Sequence, residues 1–447
     1  MKKLKLRLSH VQIIALGFLI LIALGTALLS LPAASASGHR AQFTTAFFTA
    51  VSASTVTGFT LVNTLDYWSG FGHVVILILF QIGGLGVMTI ATLFFMLMRR
   101  RVGLRQREVM VESLNSTQVG GIMKLINRLF KITAIAEIVG ALLLSVRFVP
   151  MFGWGKGLWY GLFHSASAFC NAGFDLMGNE GSCGSMSRFS ADWYVNIILM
   201  GLIILGGLGF LVLADIHEKG FHVKRYSLQT KLVITVSAIL IFGGAIFFLI
   251  FERSGVQAGM STGERILTAI FASVTSRNAG FVTTSAASLS GGGRMLLIFL
   301  MFIGGSPGST SGGVKTTTIV VIFIHAFCGI RHERSAGIFG RSIESDAINK
   351  AVSIVACNIA LIFVGCFFIC ALQPELEMSR VLFEVVSGIG TAGISTGLIK
   401  ELCPLSLYFM MGLMFLGRLG SVSFAVALLE KRALPRVRYP VEKITIG

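Results

Sequence analysis

The 447-residue sequence predicts an all-α membrane protein, with eight transmembrane helices arranged as four copies of span, half-helix loop and span about a pseudo-fourfold axis. Three observations carry that expectation. Hydrophobic residues make up 54% of the chain and charged residues 13%, with a mean hydropathy of +0.82, a balance that excludes a string of soluble domains. Eight apolar stretches reach the roughly 20 residues needed to cross about 30 Å of hydrocarbon. A glycine-centred motif recurs four times between them.

The stretches lie near 10–33, 73–98, 129–149, 193–214, 229–251, 294–324, 350–372 and 405–429. The first follows MKKLKLRLSH, whose charged start is like that of a signal peptide. Its apolar run is too long for such a leader and no convincing small-residue cleavage site follows, so a retained span is expected. Basic residues gather on alternate connections, at Lys2–Arg7, Arg99–Arg107 with Lys124–Lys131, Lys219–Lys231, Arg331–Lys350 and Lys431–Lys443. The positive-inside rule then puts both termini in the cytoplasm. It also assigns the net charge of +17 to topology, leaving no call for nucleic acid as a partner. The cluster Arg99–Arg107 additionally suits anionic membrane lipids or a cytosolic partner. The seven cysteines have no metal-ligand spacing, and although Cys183 and Cys403 both fall outside, no disulfide is expected.

The remaining connections share a pattern. They read FTAVSASTVTGFT at 48–60, FHSASAFCNAGFD at 163–175, IFASVTSRNAGFVT at 270–283 and FEVVSGIGTAGIST at 383–396. Gly58, Gly173, Gly280 and Gly393 anchor them at spacings of 115, 107 and 113 residues, and Phe48, Phe163, Ile270 and Phe383 stand ten residues earlier. A second landmark follows in the next span: QIGGLGVM at 81–88, ILGGLGF at 204–210, IGGSPGS at 303–309 and LGRLGSV at 416–422. The copies are expected to occupy 1–98, 99–214, 215–324 and 325–429, with a cytoplasmic tail over 430–447. Each copy crosses twice, so all four share one orientation, and their loops meet at a central axis.

A short helix followed by extended backbone cannot face lipid, because its amides and carbonyls would go unsatisfied. It must line a water-accessible pore. Glycine after a small residue can take positive φ and let successive carbonyls face an axis. Four such strands make rings of oxygens able to replace the hydration shell of a cation, held by the carbonyls of Gly58, Gly173, Gly280 and Gly393. The partially negative C-terminal ends of the short helices favour a cation over an anion.

TVTGF, CNAGF, RNAGF and GTAGI, four in register and each followed by its landmark, closely resemble the Trk/Ktr/HKT superfamily of potassium transporters. Within it the length, the eight spans and the terminal RYPVEKITIG are most similar to the KtrB-type membrane subunits of Ktr uptake systems. The resemblance implies a potassium-channel-like fold in one chain. It implies a selectivity filter built from Thr55, Val56, Thr57 and Gly58; Cys170, Asn171, Ala172 and Gly173; Arg277, Asn278, Ala279 and Gly280; and Gly390, Thr391, Ala392 and Gly393. One glycine per strand, where potassium channels have two, implies a shorter filter that discriminates less against sodium.

The stretch 294–324 is interrupted by GGSPGSTSGGVKTTT at 304–318, too rich in Gly, Ser and Pro to hold a straight helix, and broken helices at membrane depth surround transport sites. By resemblance this segment is an intramembrane gate, carried by Gly304, Gly305, Ser306, Pro307, Gly308, Ser309, Thr310, Ser311, Gly312 and Gly313, with Lys315 as its charged end. Arg418 replaces a landmark glycine in mid-span, where a charge must face the interior, and by resemblance it sets an electrostatic barrier beneath the filter. Glu137 is also mid-span and would pair with an internal base that the sequence does not name. Asp175 could concentrate cations at the outer mouth or be an ordinary solvated acid.

The implied function is potassium uptake, channel-like and driven by membrane potential, in a prokaryotic inner membrane, with sodium as a dependence or as an alternative favoured ion. The implied assembly is a homodimer gated by a cytosolic, KtrA-like nucleotide-binding ring. No Rossmann fingerprint occurs in the chain, so ATP or ADP would act only through that separate subunit. Gly308, Gly313, Lys315 and Thr316 do not make a phosphate loop, because Val314 separates the glycine from the lysine. Rival readings are an intramembrane serine protease using Ser309 or Ser311 with His325, and a proton-coupled carrier of organic solutes, which would need paired intramembrane acids.

Overall fold

The structure, a computed structural model, describes residues 10–86, 89–90, 122–178, 186–220, 222–331 and 337–420. The basic N-terminal segment, Arg99–Arg107, Cys183, Arg334 and the tail 430–447 lie outside the described residues, as do the later parts of the stretches 73–98 and 405–429.

One order of elements recurs four times along the chain. A long helix comes first, a short helix second, and a second apolar helix third. The first set is α1 (His10–Leu29), α2 (Phe43–Thr55) and α3 (Gly70–Leu85). The next is α4 (Ile122–Phe152), α5 (Trp154–Phe169) and the pair α6 (Trp193–Leu208) and α7 (Phe210–Lys219). The third is α8 (Leu228–Phe251), α9 (Thr262–Thr275) and the pair α10 (Gly291–Phe302) and α11 (Thr316–Ile330). The last is α12 (Ser345–Leu372), α13 (Met378–Gly390) and α14 (Pro404–Leu419). A small antiparallel hairpin, β1 (Gly337–Ile338) with β2 (Arg341–Ser342), precedes α12.

Burial sorts these helices by solvent. The four long helices supply spans of 19 to 28 residues, each long and apolar enough to cross a membrane. Their outer faces carry exposed side chains such as Leu24, Ile135, Ile239 and Phe367, which only lipid can cover at this density. The short helices are the reverse. Every residue of α2 from Phe48 to Thr55 is buried, and the same holds from Phe163 to Phe169 in α5. A 13-residue helix is about 20 Å long and cannot span the bilayer. Its serines, threonines and alanines are sheltered by protein, as backbone ending at membrane depth requires.

The second helices depart from the uninterrupted spans expected over 73–98, 193–214 and 405–429. Helix α3 stops at Leu85, α14 stops at Leu419, and α6 stops at Leu208, where the chain turns by 98° into α7. The cause is the last glycine of each landmark. Gly86, Gly209 and Gly420 have φ of 89°, 93° and 87°, a region that side chains strongly disfavour and that ends a helix. Among the described residues the second helix is thus interrupted at Gly209 in the second set and, over the longer stretch 303–315, in the third, while α3 and α14 end at Gly86 and Gly420.

The first glycine of each landmark does something else. A methyl group on Gly83, Gly206 or Gly417 would stand 2.1, 1.9 and 2.1 Å from the carbonyl oxygens of Ser54, Phe169 and Ile389. In these three sets the second helix thus lies directly on the C-terminal turn of the short helix in its own set, at a distance only glycine permits, whereas Gly304 of the third set faces Gly312 O of its own loop. Gly206→Ala is expected to lower the melting temperature of the detergent-solubilised protein by a few degrees, an overpacking penalty of about 1–3 kcal/mol. Gly201→Ala, on the same helix with open space around it, should leave the melting curve unchanged.

Arg294 of α10 reaches the exposed Glu377, just before α13, at 3.2 Å. The Ser379 hydroxyl, then the Arg294 and Arg380 guanidinium groups, hold the Glu377 carboxyl below its ordinary range. This ties the start of α10 in the third set to the start of α13 in the fourth.

Candidate functional site

The four short helices end alike. Val56, Asn171, Asn278 and Thr391, each two residues before a motif glycine, adopt the left-handed conformation with φ of 59°, 56°, 69° and 56°. In three sets the end is a Schellman motif, which satisfies carbonyls that would otherwise be orphaned. The amides of Thr57, Ala172 and Ala392 reach back five residues to Ser52, Ser167 and Ser387 at 2.9, 2.8 and 2.8 Å. In the third set the Ala279 amide reaches only to Thr275, at 2.9 Å. Asparagine tolerates this conformation, whereas β-branched Val56 and Thr391 do so rarely. These positions are held by their surroundings, and each is buried to within 1% of full.

The glycines that follow have φ of 89°, 70°, 80° and 77° at Gly58, Gly173, Gly280 and Gly393. They meet one another. A methyl on Gly58 would lie 2.5 Å from Ala172 O, one on Gly173 3.1 Å from Ala279 O, one on Gly280 3.1 Å from Ala392 O, and one on Gly393 2.0 Å from Thr57 O. Each glycine therefore faces the carbonyl just before the next glycine, and the contacts close into a cycle of four. Any side chain at these positions would both strain the backbone and block a neighbouring carbonyl.

The flanking residues turn their side chains outward. Thr55 and Thr57 pair through their hydroxyls at 2.8 Å. Cys170 Sγ points at Gln81 Oε1, 3.2 Å away, and Gln81 Nε2 donates to Glu137 Oε1 at 2.7 Å. Glu137 thus pairs with an amide and a thiol, where the sequence led us to expect a base. Arg277, 8% exposed, extends away from the cycle into a small cavity between α6 and α8, lined by Ile203, Ile204, Gly207, Leu208, Ile241 and Val274. The Asn278 amide donates to Gly390 O at 2.6 Å, linking the third strand to the fourth helix. Asp175 accepts the Met177 amide at 3.0 Å and so caps its own turn.

Residues 304–315 cross just under this cycle. The segment is ordered by bonds at both ends and in the middle. Gly304 N donates to Val314 O at 2.9 Å and Thr316 N to Gly305 O at 3.2 Å, closing the loop's neck. Ser306 N and Thr310 N donate to Gly207 O and Gly206 O at 3.0 and 3.3 Å, and the amide of Phe210, opening α7, donates to Gly308 O at 2.8 Å. Ser311 and the Asn171 amide lie 2.6 Å apart, and with the Asn171 oxygen accepting, its nitrogen reaches Ala168 O at 2.9 Å. Gly312 N donates to Thr391 Oγ1 at 3.1 Å. Two of the left-handed residues, Asn171 and Thr391, therefore brace the loop with their side chains, a role that the sequence analysis missed. The enrichment of Asn in left-handed backbone was the available signal.

Two cations complete the lower face. Lys315 Nζ donates to Ser311 O at 2.6 Å and to Gly312 O at 3.3 Å, folding back on its own loop. Arg418 donates through Nη1 to Thr310 O, and through Nη2 to Gly83 O and, at 3.1 Å, to Gly84 O. It joins the loop of the third set to the second helix of the first set. Every one of these acceptors is a neutral carbonyl, so the positive charge beneath the cycle is solvated by dipoles, with no carboxylate paired to it among the described residues. Ser309 and Ser311 have no hydrogen bond to a histidine among the described residues, and both ring nitrogens of His164 are engaged by Tyr160 O and the Leu176 amide. The protease arrangement is not assembled here.

Known proteins resemble the chain in sequence and in fold. A family model described as "TrkH: Cation transport protein" matches residues 9–435. The chain belongs to the TrkH cation transport family. The potassium/sodium uptake protein NtpJ of Enterococcus hirae is 39% identical, with 100% of this chain and 99% of that protein aligned. Ktr system potassium uptake protein B of Bacillus subtilis is 34% identical over 99% of this chain and 97% of its own length. The crystal structure of the potassium transporter TrkH from Vibrio parahaemolyticus matches with a TM-score of 0.74 at 19% identity, covering 96% of this chain and 86% of that one. The fold is thus the multi-span, all-helical TrkH architecture. Membership in the Trk/Ktr superfamily makes the chain a multi-pass membrane protein of potassium and cation uptake, and not an enzyme.

Removing the Thr391 hydroxyl leaves the Gly312 amide without its acceptor. Thr391→Val is expected to raise hydrogen–deuterium exchange across 304–315 by up to about tenfold, the scale of one net hydrogen bond. Peptides from α12 provide the internal control. Unchanged exchange would mean that the loop is held without this contact.

Proposed function

We propose that this chain is the membrane subunit of a potassium uptake system, in which the four glycine strands form the ion-selective filter and residues 304–313 form the gate. The observation that carries the reading is the closed cycle in which each motif glycine faces the carbonyl before the next. Four strands so placed offer rings of carbonyl oxygens to a dehydrated cation, held at Gly58, Gly173, Gly280 and Gly393, and four helix C-termini add negative potential. On this reading the four sets are repeats over 1–98, 99–214, 215–324 and 325–429, eight spans in all about a pseudo-fourfold pore. Both termini, the tail 430–447 included, face the cytoplasm of a prokaryotic cell.

The loop beneath the filter, with Lys315 and Arg418, puts a positive charge in the permeation path. A cation leaving the filter inward meets both a steric obstruction and an electrostatic one. No fuel site is needed in the chain itself. A monovalent cation gains about 2.3 kcal/mol per 100 mV, enough for roughly 50-fold accumulation at about 1.4 kcal/mol per tenfold. The relative in Bacillus subtilis is named as one protein of a Ktr system, which supports work with a separate, KtrA-like nucleotide-binding subunit; the chain itself we read as a homodimer. ATP and ADP would act there. The Enterococcus hirae relative is named for potassium and sodium together, and this favours a second reading in which sodium is required or is the preferred ion.

The test is rubidium uptake into potassium-depleted bacteria that lack their own uptake systems, with the cognate cytosolic subunit supplied. Wild type should accumulate rubidium in preference to sodium, and Gly280→Ser should lose that preference by about tenfold or more, since a side chain displaces converging carbonyls. Inserted wild-type protein that carries neither ion would sink the transport reading. Deleting part of 304–313, or changing Arg418→Gln, should raise flux several-fold without the cytosolic subunit. Flux unaltered by both changes would remove the loop from gating.

A further inference from the structure

We propose that Glu384 and His164 are positioning residues that pin the outer ends of two opposed filter strands to the helices beside them, and that they thereby set ion preference. This rests on the filter reading above. His164 stands nine residues before Gly173 and Glu384 nine residues before Gly393. Both are fully buried, at 0% exposure, on the short helices α5 and α13. His164 Nε2 accepts the amide of Leu176 at 3.2 Å, with Nδ1 donating to Tyr160 O at 2.7 Å. Glu384 Oε1 accepts the amide of Thr396 at 2.7 Å, the Thr396 hydroxyl at 2.9 Å and the Ser395 hydroxyl at 2.8 Å.

Leu176 and Thr396 occupy the same place, three residues after their glycines. Different chemistry therefore makes the same tether in the second and fourth sets. A second tether accompanies each. Ser167 Oγ donates to Phe174 O and Ser387 Oγ to Ile394 O, both at 2.7 Å, so the carbonyl after each glycine is turned back toward the short helix. In the first set the matching position is Thr49, whose hydroxyl bonds Thr45 O within its own helix. In the third it is Phe271, which has no polar atom to offer, so that strand keeps only the second kind of tether, from Thr275 Oγ1 to Phe281 O at 2.6 Å.

In the cycle of contacts Gly173 and Gly393 are not neighbours. The two doubly pinned strands thus face each other across the axis, with less constrained strands between them. Carbonyls that discriminate between ions must be held to a fraction of an ångström by groups that are themselves locked, and two rigid opposed strands fix the width of the ring. Glu384 acts through one oxygen, since Oε2 is buried without a partner among the described residues. The work asked of it is acceptance of hydrogen bonds, and an amide can do that without the charge.

Competition of sodium against rubidium uptake tests this, with membrane abundance of each variant measured in the same cells. Glu384→Leu, which removes all three acceptor contacts, should reduce rubidium preference by about tenfold or more, with His164→Phe moving it in the same direction. Glu384→Gln should restore preference to within about twofold of wild type. If Glu384→Leu does not insert, the double variant Ser395→Ala with Thr396→Val, which keeps the carboxylate and removes two donors, should give an intermediate loss. An abundant Glu384→Gln protein that fails as Glu384→Leu does would show that charge at the mouth is what counts, and would overturn the proposal. So would unchanged preference in Glu384→Leu or in the double variant. Wild-type protein carrying no rubidium would instead overturn the filter reading, and this one with it.

Discussion

A helix that stops halfway through a membrane must find partners for its last carbonyls and for the strand that follows, because hydrocarbon offers none. The structure meets that requirement four times. The left-handed turns at Val56, Asn171, Asn278 and Thr391 fold the backbone back on the helix end, and Schellman bonds use up the carbonyls of Ser52, Ser167 and Ser387. Only then can the next carbonyls be spared for something other than the protein itself. The need for shelter also explains why second helices press so close. The glycine contacts at 83, 206 and 417 let α3, α6 and α14 roof over those turns, keeping lipid from polar backbone.

The same constraint bears on where each second helix stops. A helix that packs tightly on a turn at membrane depth and continues straight would pass through the space beneath the motif cycle. The positive-φ glycine at 209 turns it by 98°, those at 86 and 420 end their helices, and in the third set a loop over 303–315 stands between α10 and α11. The amides and carbonyls of the loop then need partners of their own. They find them on the broken ends, with Gly206 O, Gly207 O and the Phe210 amide serving the second set and Arg418 serving the fourth. A guanidinium suits the task, since its fixed fork can reach carbonyls of two separate elements at once.

The sequence made much of this legible, for identifiable reasons. The motif glycines were found because positive φ selects glycine and the spacing repeats. The left-handed residues before them were half visible. Asn171 and Asn278 fit the conformation, but Val56 and Thr391 contradict local preference and are imposed by burial. The landmark GGLG was legible as a repeat and not by role: its first glycine is a packing contact. Its last glycine breaks the helix instead, and nothing in the local composition separates the two roles. The partner of Glu137 was illegible, since Gln81 lies 56 residues away and only tertiary structure brings an amide there. His164 and Glu384 were hidden by their different chemistry, and their equivalence emerges only when both are counted from their glycines.

If residues 304–313 are the gate proposed above, the bonds that hold the loop also bear on how a cytosolic subunit would move it. Its contacts to other sets include four involving Gly206, Gly207, Phe210 and Thr391, one with Asn171 and a charged one with Arg418. Neutral bonds contribute about 0.5–1.5 kcal/mol each, and charged ones about 1.5–3. Converting a closed population to an open one, from 1:99 to 99:1, takes about 5.5 kcal/mol of differential binding. The two quantities are of one size. A loop with half these contacts would leak, and one embedded in apolar packing would be beyond the reach of a nucleotide-driven partner. On that reading the α7 helix offers a route for the work, because its first amide grips Gly308 O at 2.8 Å while Asp215, ion-paired within the helix to Lys219 at 2.6 Å, accepts from Thr230 Oγ1 at the start of α8 at 2.7 Å.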